Sequence, residues 1–245
     1  MNIALIGYGN MGKEVEAVAK RRNVSIQQIF TIENNLHGMG ITQQSMKNVD
    51  VCIDFSTPTA VVHTIELVAG YKKSIVVGTT GWYDQLDHVK KIVKSKNIGL
   101  IYSPNFSLGM NIFFQILSSA CHTFEKFDAY DVAIHETHHR RKADSPSGTA
   151  FSLAQIVLQH IRRKKEMFHE SAHKGIKPEQ LQITSSRLGE VVGTHNVMFD
   201  SEADSIELVH TAKNRSGFAL GALIAAEWLK DKKGVYTMKD VLQTL

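Results

Sequence analysis

The stretch Asn2-Ile3-Ala4-Leu5-Ile6-Gly7-Tyr8-Gly9-Asn10-Met11-Gly12 decides the fold. A short aliphatic run meets a glycine turn, and a helical pattern continues through Arg21, so the order is strand, turn, helix. The glycines of G-x-G-x-x-G do separate work: Gly7 permits the tight turn, Gly9 lets backbone approach a pyrophosphate, and Gly12 lets helix and strand pack closely. Amides at the helix start then face the phosphates, which makes Gly7, Tyr8, Gly9, Asn10, Met11 and Gly12 candidate cofactor contacts. The next strand-like stretch, Ile29–Ile32, runs into Glu33, about 20 residues past the last glycine, where a carboxylate accepts ribose hydroxyls. The bland alternative is an ordinary strand-to-helix turn.

Outward from there the pattern repeats in α/β fashion. Val51–Phe55 reads as a buried strand, with Ser56-Thr57-Pro58 as cap and first-turn proline of a helix that Gly70 closes. Ile75–Val77 and Ile98–Tyr102 read as further strands around a helix near Asp84–Ser95. Each strand ends in a polar loop, Gly78-Thr79-Thr80 and Ser103-Pro104-Asn105-Phe106, and in an open parallel sheet such loops meet ligands. Spacing alone does not separate cofactor contacts from plain turns at these two loops.

The second half differs. After a long helix, Ser107–Phe124, the segments Asp128–Glu136, Leu181–Ser186, Val191–Phe199 and Ser205–Thr211 alternate as strands of a mixed sheet. Arg162–Gln180 reads as an exposed connection, and helices near Gly217–Leu229 and Met238–Thr244 close the chain.

The densest chemistry lies in His135-Glu136-Thr137-His138-His139-Arg140-Arg141-Lys142-Ala143-Asp144-Ser145-Pro146-Ser147-Gly148-Thr149-Ala150. Its tail suits an anion cradle: Ser145 as cap, Pro146 as first helical residue, and Gly148 and Thr149 amides among the unpaired donors of a helix running to about Arg163. Before it stand two histidines and a lysine in what reads as one irregular loop. Histidine exchanges a proton near neutral pH and lysine gives a compact positive charge. The run His135-Glu136-Thr137-His138-His139 also matches H-E-x-x-H, which binds zinc when both histidines share a helical face. Here the alternation is that of a strand, so no metal is expected.

Composition narrows the rest. Hydrophobic residues at 43% with four prolines among 245 residues describe a globular chain, and no apolar run approaches bilayer length, so neither a membrane span nor disorder is expected. Cys52 and Cys121 stand alone, which fits a reducing compartment, and the expected address is the cytoplasm. The net charge of +4 comes from short clusters scattered among acids, so nucleic acid is not an expected partner and a small anionic substrate is favoured.

Taken with Gly7–Gly12, Gly78-Thr79-Thr80, Ser103–Phe106 and Arg187…Gly193-Thr194-His195, the segment Glu136–Ala150 resembles the signature E-x-H-H-x-x-K-x-D-x-P-S-G-T-A of the 4-hydroxy-tetrahydrodipicolinate reductases, formerly dihydrodipicolinate reductases, of bacterial diaminopimelate and lysine synthesis. The resemblance spans the chain. It implies a Rossmann-like dinucleotide-binding domain, 1–105 and 215–245, and an α+β substrate domain, 106–214, whose open mixed sheet forms a homotetramer. It implies NAD(P)H-dependent reduction of a cyclic imine dicarboxylate, with His138 as acid–base residue and Lys142 as second donor or charge partner. His139, Gly148 and Thr149 would bind substrate, with Arg215 and Phe218 completing the site. Some members carry arginine after the ribose-binding acid, whereas this chain has Glu33-Asn34; an acid there repels a 2′-phosphate, so NADH is expected over NADPH.

Overall fold

The computed structural model describes residues 1–244, and the chain divides into two units: Met1–Leu108 together with the chain from Arg215 onward, and Gly109–Asn214. The first begins with β1 (Asn2–Ile6), α1 (Asn10–Arg21), β2 (Ser25–Phe30), a short α2 (Gln43–Met46), β3 (Val51–Asp54), α3 (Val61–Gly70), β4 (Ser74–Val77), α4 (Leu86–Lys96) and β5 (Gly99–Tyr102). The second holds α5 (Leu108–Phe124, whose first residue falls in the first unit), β6 (Asp131–His138), α6 (Gly148–His160), β7 (Glu166–Phe168), β8 (Gln180–Arg187), β9 (Gly193–Asp200) and β10 (Ser205–Ala212). The chain then returns to the first unit through α7 (Ser216–Leu229), β11 (Gly234–Tyr236) and α8 (Met238–Gln243).

In the first unit the strands form one parallel sheet in the order β11-β5-β4-β3-β1-β2. Its central strands are largely apolar because both faces are covered, with buried Asp54 closing β3 and buried Ser74 opening β4. Ile3 and Leu5 pack with Val15, Val18 and Leu223 on one side, whereas Ala4 and Ile6 pack with Val61, Ile65 and Val93 on the other. The chain leaves β1 for β2 on one side and takes β3 on the other, so the turn at Gly7 and the loop after Asp54 flank the switch point where such sheets bind ligands. Cys52 and Cys121 are fully buried, and burial holds both thiols in their protonated, inert form.

The second unit is a mixed sheet in the order β10-β9-β6-β8-β7. Val132, Ile134, Leu181, Ile183, Val197 and Phe199 form a core with Leu117, Leu153 and Val157 of α5 and α6. The other face of the strands carries His135, Thr184, Met198 and Val209, all exposed.

Several expected elements shift. The second strand spans Ser25–Phe30 instead of Ile29–Ile32, because the Asn34 side chain accepts from the Thr31 amide at 2.8 Å and donates to the Ile29 carbonyl at 3.0 Å, which turns the chain before Glu33. Helix α3 starts at Val61, not behind Pro58: the Ala60 and Val61 amides both bond the Thr57 carbonyl and close a turn first. Arg162–Gln180 is more than an exposed connection. It contains β7, and the buried Lys164 ammonium donates to the Pro178 and Gln180 carbonyls at 2.9 and 2.8 Å and pairs with Asp131 at 2.6 Å. Strand β11 and helix α2 carried no sequence signal.

Candidate active site

In the first unit the three glycines of the opening turn occupy different surroundings. Gly7 has φ +88°, and a Cβ there would lie 2.3 Å from the Phe55 carbonyl oxygen; a Cβ on Gly12 would lie 2.3 Å from the Gly7 carbonyl oxygen. Gly9 meets nothing within 4 Å and faces open space. A cleft of about 360 Å³ opens beside it, lined by Gly9, Asn10 and Met11 and, across from them, Ser56, Gly78, Thr79 and Thr80. Tyr8 turns away to Glu16, to which its hydroxyl donates. The base of the cleft is held by Asp54, which is fully buried and accepts from Thr79 Oγ1 at 2.6 Å and from the Ser56 amide and hydroxyl. Burial pushes this carboxyl up to about 6. The open backbone at Gly9, the helix start behind it and the hydroxyl lining fit a dinucleotide.

The neighbouring loop folds on itself. The Ser103 hydroxyl donates to the Asn105 carbonyl at 2.7 Å, and Phe106 is buried edge-on against Phe55. Helix α7 reaches this loop because Gly221 has no side chain: a Cβ there would overlap the Phe106 carbonyl oxygen at 1.8 Å. Pro104 is exposed, as is Glu33 in its turn beyond β2, where the Thr31 hydroxyl holds its carboxyl below the usual range. Arg215, exposed, and Phe218, half-buried, open α7 in this same unit.

In the second unit the chemistry gathers on the inner face of β6. The strand runs through His138, so this histidine is not in an irregular loop. Alternation sends Glu136 and His138 to one face and His135 to the other, while His139 lies beyond the strand end. His135 and His139 share no helical face.

Glu136 is fully buried. Its Oε1 accepts from the Ser147 amide and the Ser185 hydroxyl, both at 2.9 Å, with Arg187 Nη2 at 3.4 Å; its Oε2 accepts from the Ser147 hydroxyl. His138 Nδ1 stands 3.3 Å from Oε2 and His195 Nε2 3.6 Å from it. Burial acts to raise the Glu136 carboxyl, but donors from Ser147 and Ser185 and the neighbouring His138 hold it below the usual range. Burial lowers both histidines, His195 to about 4. The imidazoles are therefore neutral at pH 7 in the free protein.

Ser147, not Ser145, caps α6. Its extended backbone lets the hydroxyl accept from the Ala150 amide at 3.2 Å, and Pro146 lies buried ahead of the helix, which starts at Gly148. Gly148 is exposed with no atom within 4 Å of a Cβ position, and Thr149 comes next, half-buried. Lys142 pairs with Asp144 at 2.8 Å, and the Gly148 amide also helps hold the Asp144 carboxyl low. The chain's own carboxylate thus stands where an anion was expected. Arg187 staples this loop by donating to the Asp144 carbonyl at 2.6 Å.

Among the described residues, Glu136, His138 and His195 are the one group able to gather around a metal ion, with ligand atoms within 4.8 Å of one another. Both Glu136 oxygens already hold hydroxyl or amide donors, and a guanidinium lies against Oε1. That is the environment of a hydrogen-bonded carboxylate. Glu136, Ser147, Ser185 and Arg187 carried no assigned role from sequence, nor did Asp54; period-two alternation from His138 back to Glu136 was the signal available for the first.

Residues 1–106 match the family model for dihydrodipicolinate reductase, N-terminus, and residues 109–242 match that for dihydrodipicolinate reductase, C-terminus. The 4-hydroxy-tetrahydrodipicolinate reductase of Christiangramia forsetii is 41% identical over 245 residues, covering 100% of this chain and 99% of that protein. The protein of the same name from Archaeoglobus fulgidus is 37% identical over 262 residues, covering 99% of this chain and all of its own. A solved dipicolinate-bound dihydrodipicolinate reductase from Paenisporosarcina sp. TG-14 shares the fold, with a TM-score of 0.76 over 97% of each chain at 24% identity. Identity of this depth along the full length leaves one conclusion: the chain belongs to the 4-hydroxy-tetrahydrodipicolinate reductase family.

Proposed function

We propose that His138 is the proton donor of the reaction and that Lys142 and the start of α6 receive a substrate carboxylate. The activity is that of the family: NAD(P)H-dependent reduction of a cyclic imine dicarboxylate in diaminopimelate and lysine synthesis. The observation that carries the proposal is the pairing of His138 with a fully buried, ionised Glu136 on the strand that leads into the Lys142 loop.

When bound, the reduced nicotinamide supplies hydride to the conjugated imine. The chain's residues supply the rest. Gly7, Tyr8, Gly9, Asn10, Met11 and Gly12 would hold the cofactor at a helix start, Tyr8 through its backbone, and Gly78, Thr79, Thr80, Ser103, Pro104, Asn105 and Phe106 would complete its site. Lys142 exchanges Asp144 for a substrate carboxylate, and His139, Gly148, Thr149, Arg215 and Phe218 complete recognition. Two substrate carboxylates near His138 raise its proton affinity against the effect of burial, so that it holds a proton at Nε2 for the enamine.

NADH is the assigned cofactor because exposed Glu33 repels a 2′-phosphate. The uncovered sheet face, with Met198 and Val209 exposed, supports self-association as a homotetramer. No helix among the described residues is long and apolar enough to cross a membrane, and two free, buried cysteines support a cytoplasmic address. The test is to supply the cyclic precursor, generated by its synthase from pyruvate and aspartate semialdehyde, and follow reduced-nicotinamide absorbance. We expect turnover with a higher kcat/KM for NADH. Strong NADPH preference overturns the cofactor assignment, and no turnover with either overturns the function.

A further inference from the structure

We infer that Glu136 is a positioning residue for proton transfer: its carboxylate fixes His138 with hydrogen on Nδ1, so that Nε2 is the atom that meets the substrate, and Ser147 ties the same carboxylate to the start of α6. The inference rests on His138 being the acid. Three observations carry it. Glu136 and His138 are two residues apart on one strand, so their side chains emerge side by side on the inner face; His138 Nδ1 is buried, has no other hydrogen-bond partner, and lies 3.3 Å from Oε2, the acceptor within reach. The carboxylate cannot swing away, because the Ser147 amide, the Ser147 hydroxyl and the Ser185 hydroxyl hold both of its oxygens. On the far side the ring lies against Gly193 of β9, where a Cβ would come within 2.9 Å of Nε2, so the absent side chain leaves Nε2 its room.

The Ser147 hydroxyl donates to Glu136 while accepting from the Ala150 amide, so one side chain joins the buried acid to the helix start expected to meet the substrate. The other charged or titratable groups facing His138 are Lys142 and Asp144 of its own loop, Arg187 of β8 and His195 of β9. Lys142 and Arg187 disfavour an imidazolium and Asp144 favours it, whereas the His195 ring stands edge-on at 5.1 Å between centroids. Of these groups, Glu136 is the carboxylate that reaches Nδ1. Which nitrogen of a neutral imidazole carries hydrogen is set by the bond that the other nitrogen leaves open.

The test is long-range proton–nitrogen NMR of ¹⁵N-histidine protein near pH 7.5, with the His138 signal identified by its loss in His138→Ala. The wild type is expected to show the Nδ1–H tautomer, and an Nε2–H tautomer overturns the inference without any Glu136 variant. Glu136→Gln keeps the size but turns a donor toward Nδ1. The His138 tautomer should then switch to Nε2–H, and the alkaline limb of kcat/KM, above which the proton donor is lost, should move down by about one to three pH units. Turnover should fall by on the order of 10² with cofactor KM unchanged. A Gln variant that loses turnover yet keeps the wild-type tautomer and pH profile would make Glu136 purely structural and overturn the inference. If His138→Ala stays fully active, the acid assignment fails while the tautomer result stands, so the two failures are distinguishable.

Discussion

Asp54, at the end of β3, and Glu136, near the end of β6, are both fully buried carboxylates, and both accept from two side-chain hydroxyls and one backbone amide. Yet Asp54 is pushed up to about 6, whereas Glu136 is held below its ordinary value. The difference is the balance between desolvation and donors: for Asp54 desolvation outweighs the donors from Thr79 and Ser56, whereas for Glu136 the Ser147 and Ser185 donors, with His138 beside them, outweigh it. Glu136 also has the Arg187 guanidinium at 3.4 Å, whereas the donors to Asp54 come from Ser56 and Thr79 alone. Two carboxylates equally shielded from solvent thus differ, with a carboxyl raised to about 6 in one unit and one held below its ordinary value in the other. Asp54 orders hydroxyls that line the cleft beside Gly9, and Glu136 stands against the histidine proposed as the proton donor.

The largest effect should separate the two by removing each acid. Glu136→Ala strands Arg187 and three hydrogen-bond donors in a buried site and should destabilise by about 3–5 kcal/mol. Asp54→Ala leaves neutral hydroxyls behind and should cost about 1–3 kcal/mol. Urea unfolding of both variants at pH 7 checks this, and a larger loss for Asp54→Ala would break the comparison.

The pH dependence of stability sharpens it. A carboxyl raised from 3.8 to about 6 gives Asp54 a contribution that is present below pH 3.8 and lost as pH rises through 6. His195, lowered from 6.5 to about 4, contributes above pH 6.5 and loses that as pH falls toward 4. Each is worth on the order of 3 kcal/mol at full extent, and they oppose between pH 4 and 6. Thermal midpoints of Asp54→Asn should therefore climb with pH across that window more steeply than those of the parent, while His195→Gln should do the reverse. Parallel curves for the two variants would contradict this opposition.

The smallest effect on folding, with a clear effect on binding, belongs to Gly9→Ala. Gly9 has φ −80° and open space about its Cβ position, so stability should change by no more than about 0.5 kcal/mol. Cofactor binding should weaken by about tenfold or more, because the added methyl would fill the open space at Gly9 proposed to receive the pyrophosphate. Calorimetric titration and thermal unfolding together check this; unaltered cofactor affinity would detach the cleft from the cofactor.

Much of this arrangement is legible in the chain alone. Runs such as Asn2–Ile6 and Ile75–Val77 read as buried strands because their aliphatic residues leave no polar face, and the glycine turn after β1 announces the helix behind it. The illegible parts depend on contacts distant in sequence. Strand β11 is three residues long and exists because the chain returns to pair with β5. Lys164 reads as one of four solvated cations, but carbonyls up to sixteen residues away and Asp131 bury it. The cap of α6 goes to Ser147 instead of Ser145 because the buried Glu136 carboxylate takes the Ser147 amide and hydroxyl, a bond across eleven residues. Glu136 itself stands in view as part of the E-x-H pair, and its partners Ser185 and Arg187 come from a strand about fifty residues on.

The measurement that bears most directly on the central claim is single-turnover and steady-state kinetics of His138→Ala alongside its cofactor dissociation constant. We expect turnover to fall by about 10²–10⁴ with the dissociation constant unchanged, since proton donor and cofactor cleft belong to different units. A variant as active as the parent would contradict the account.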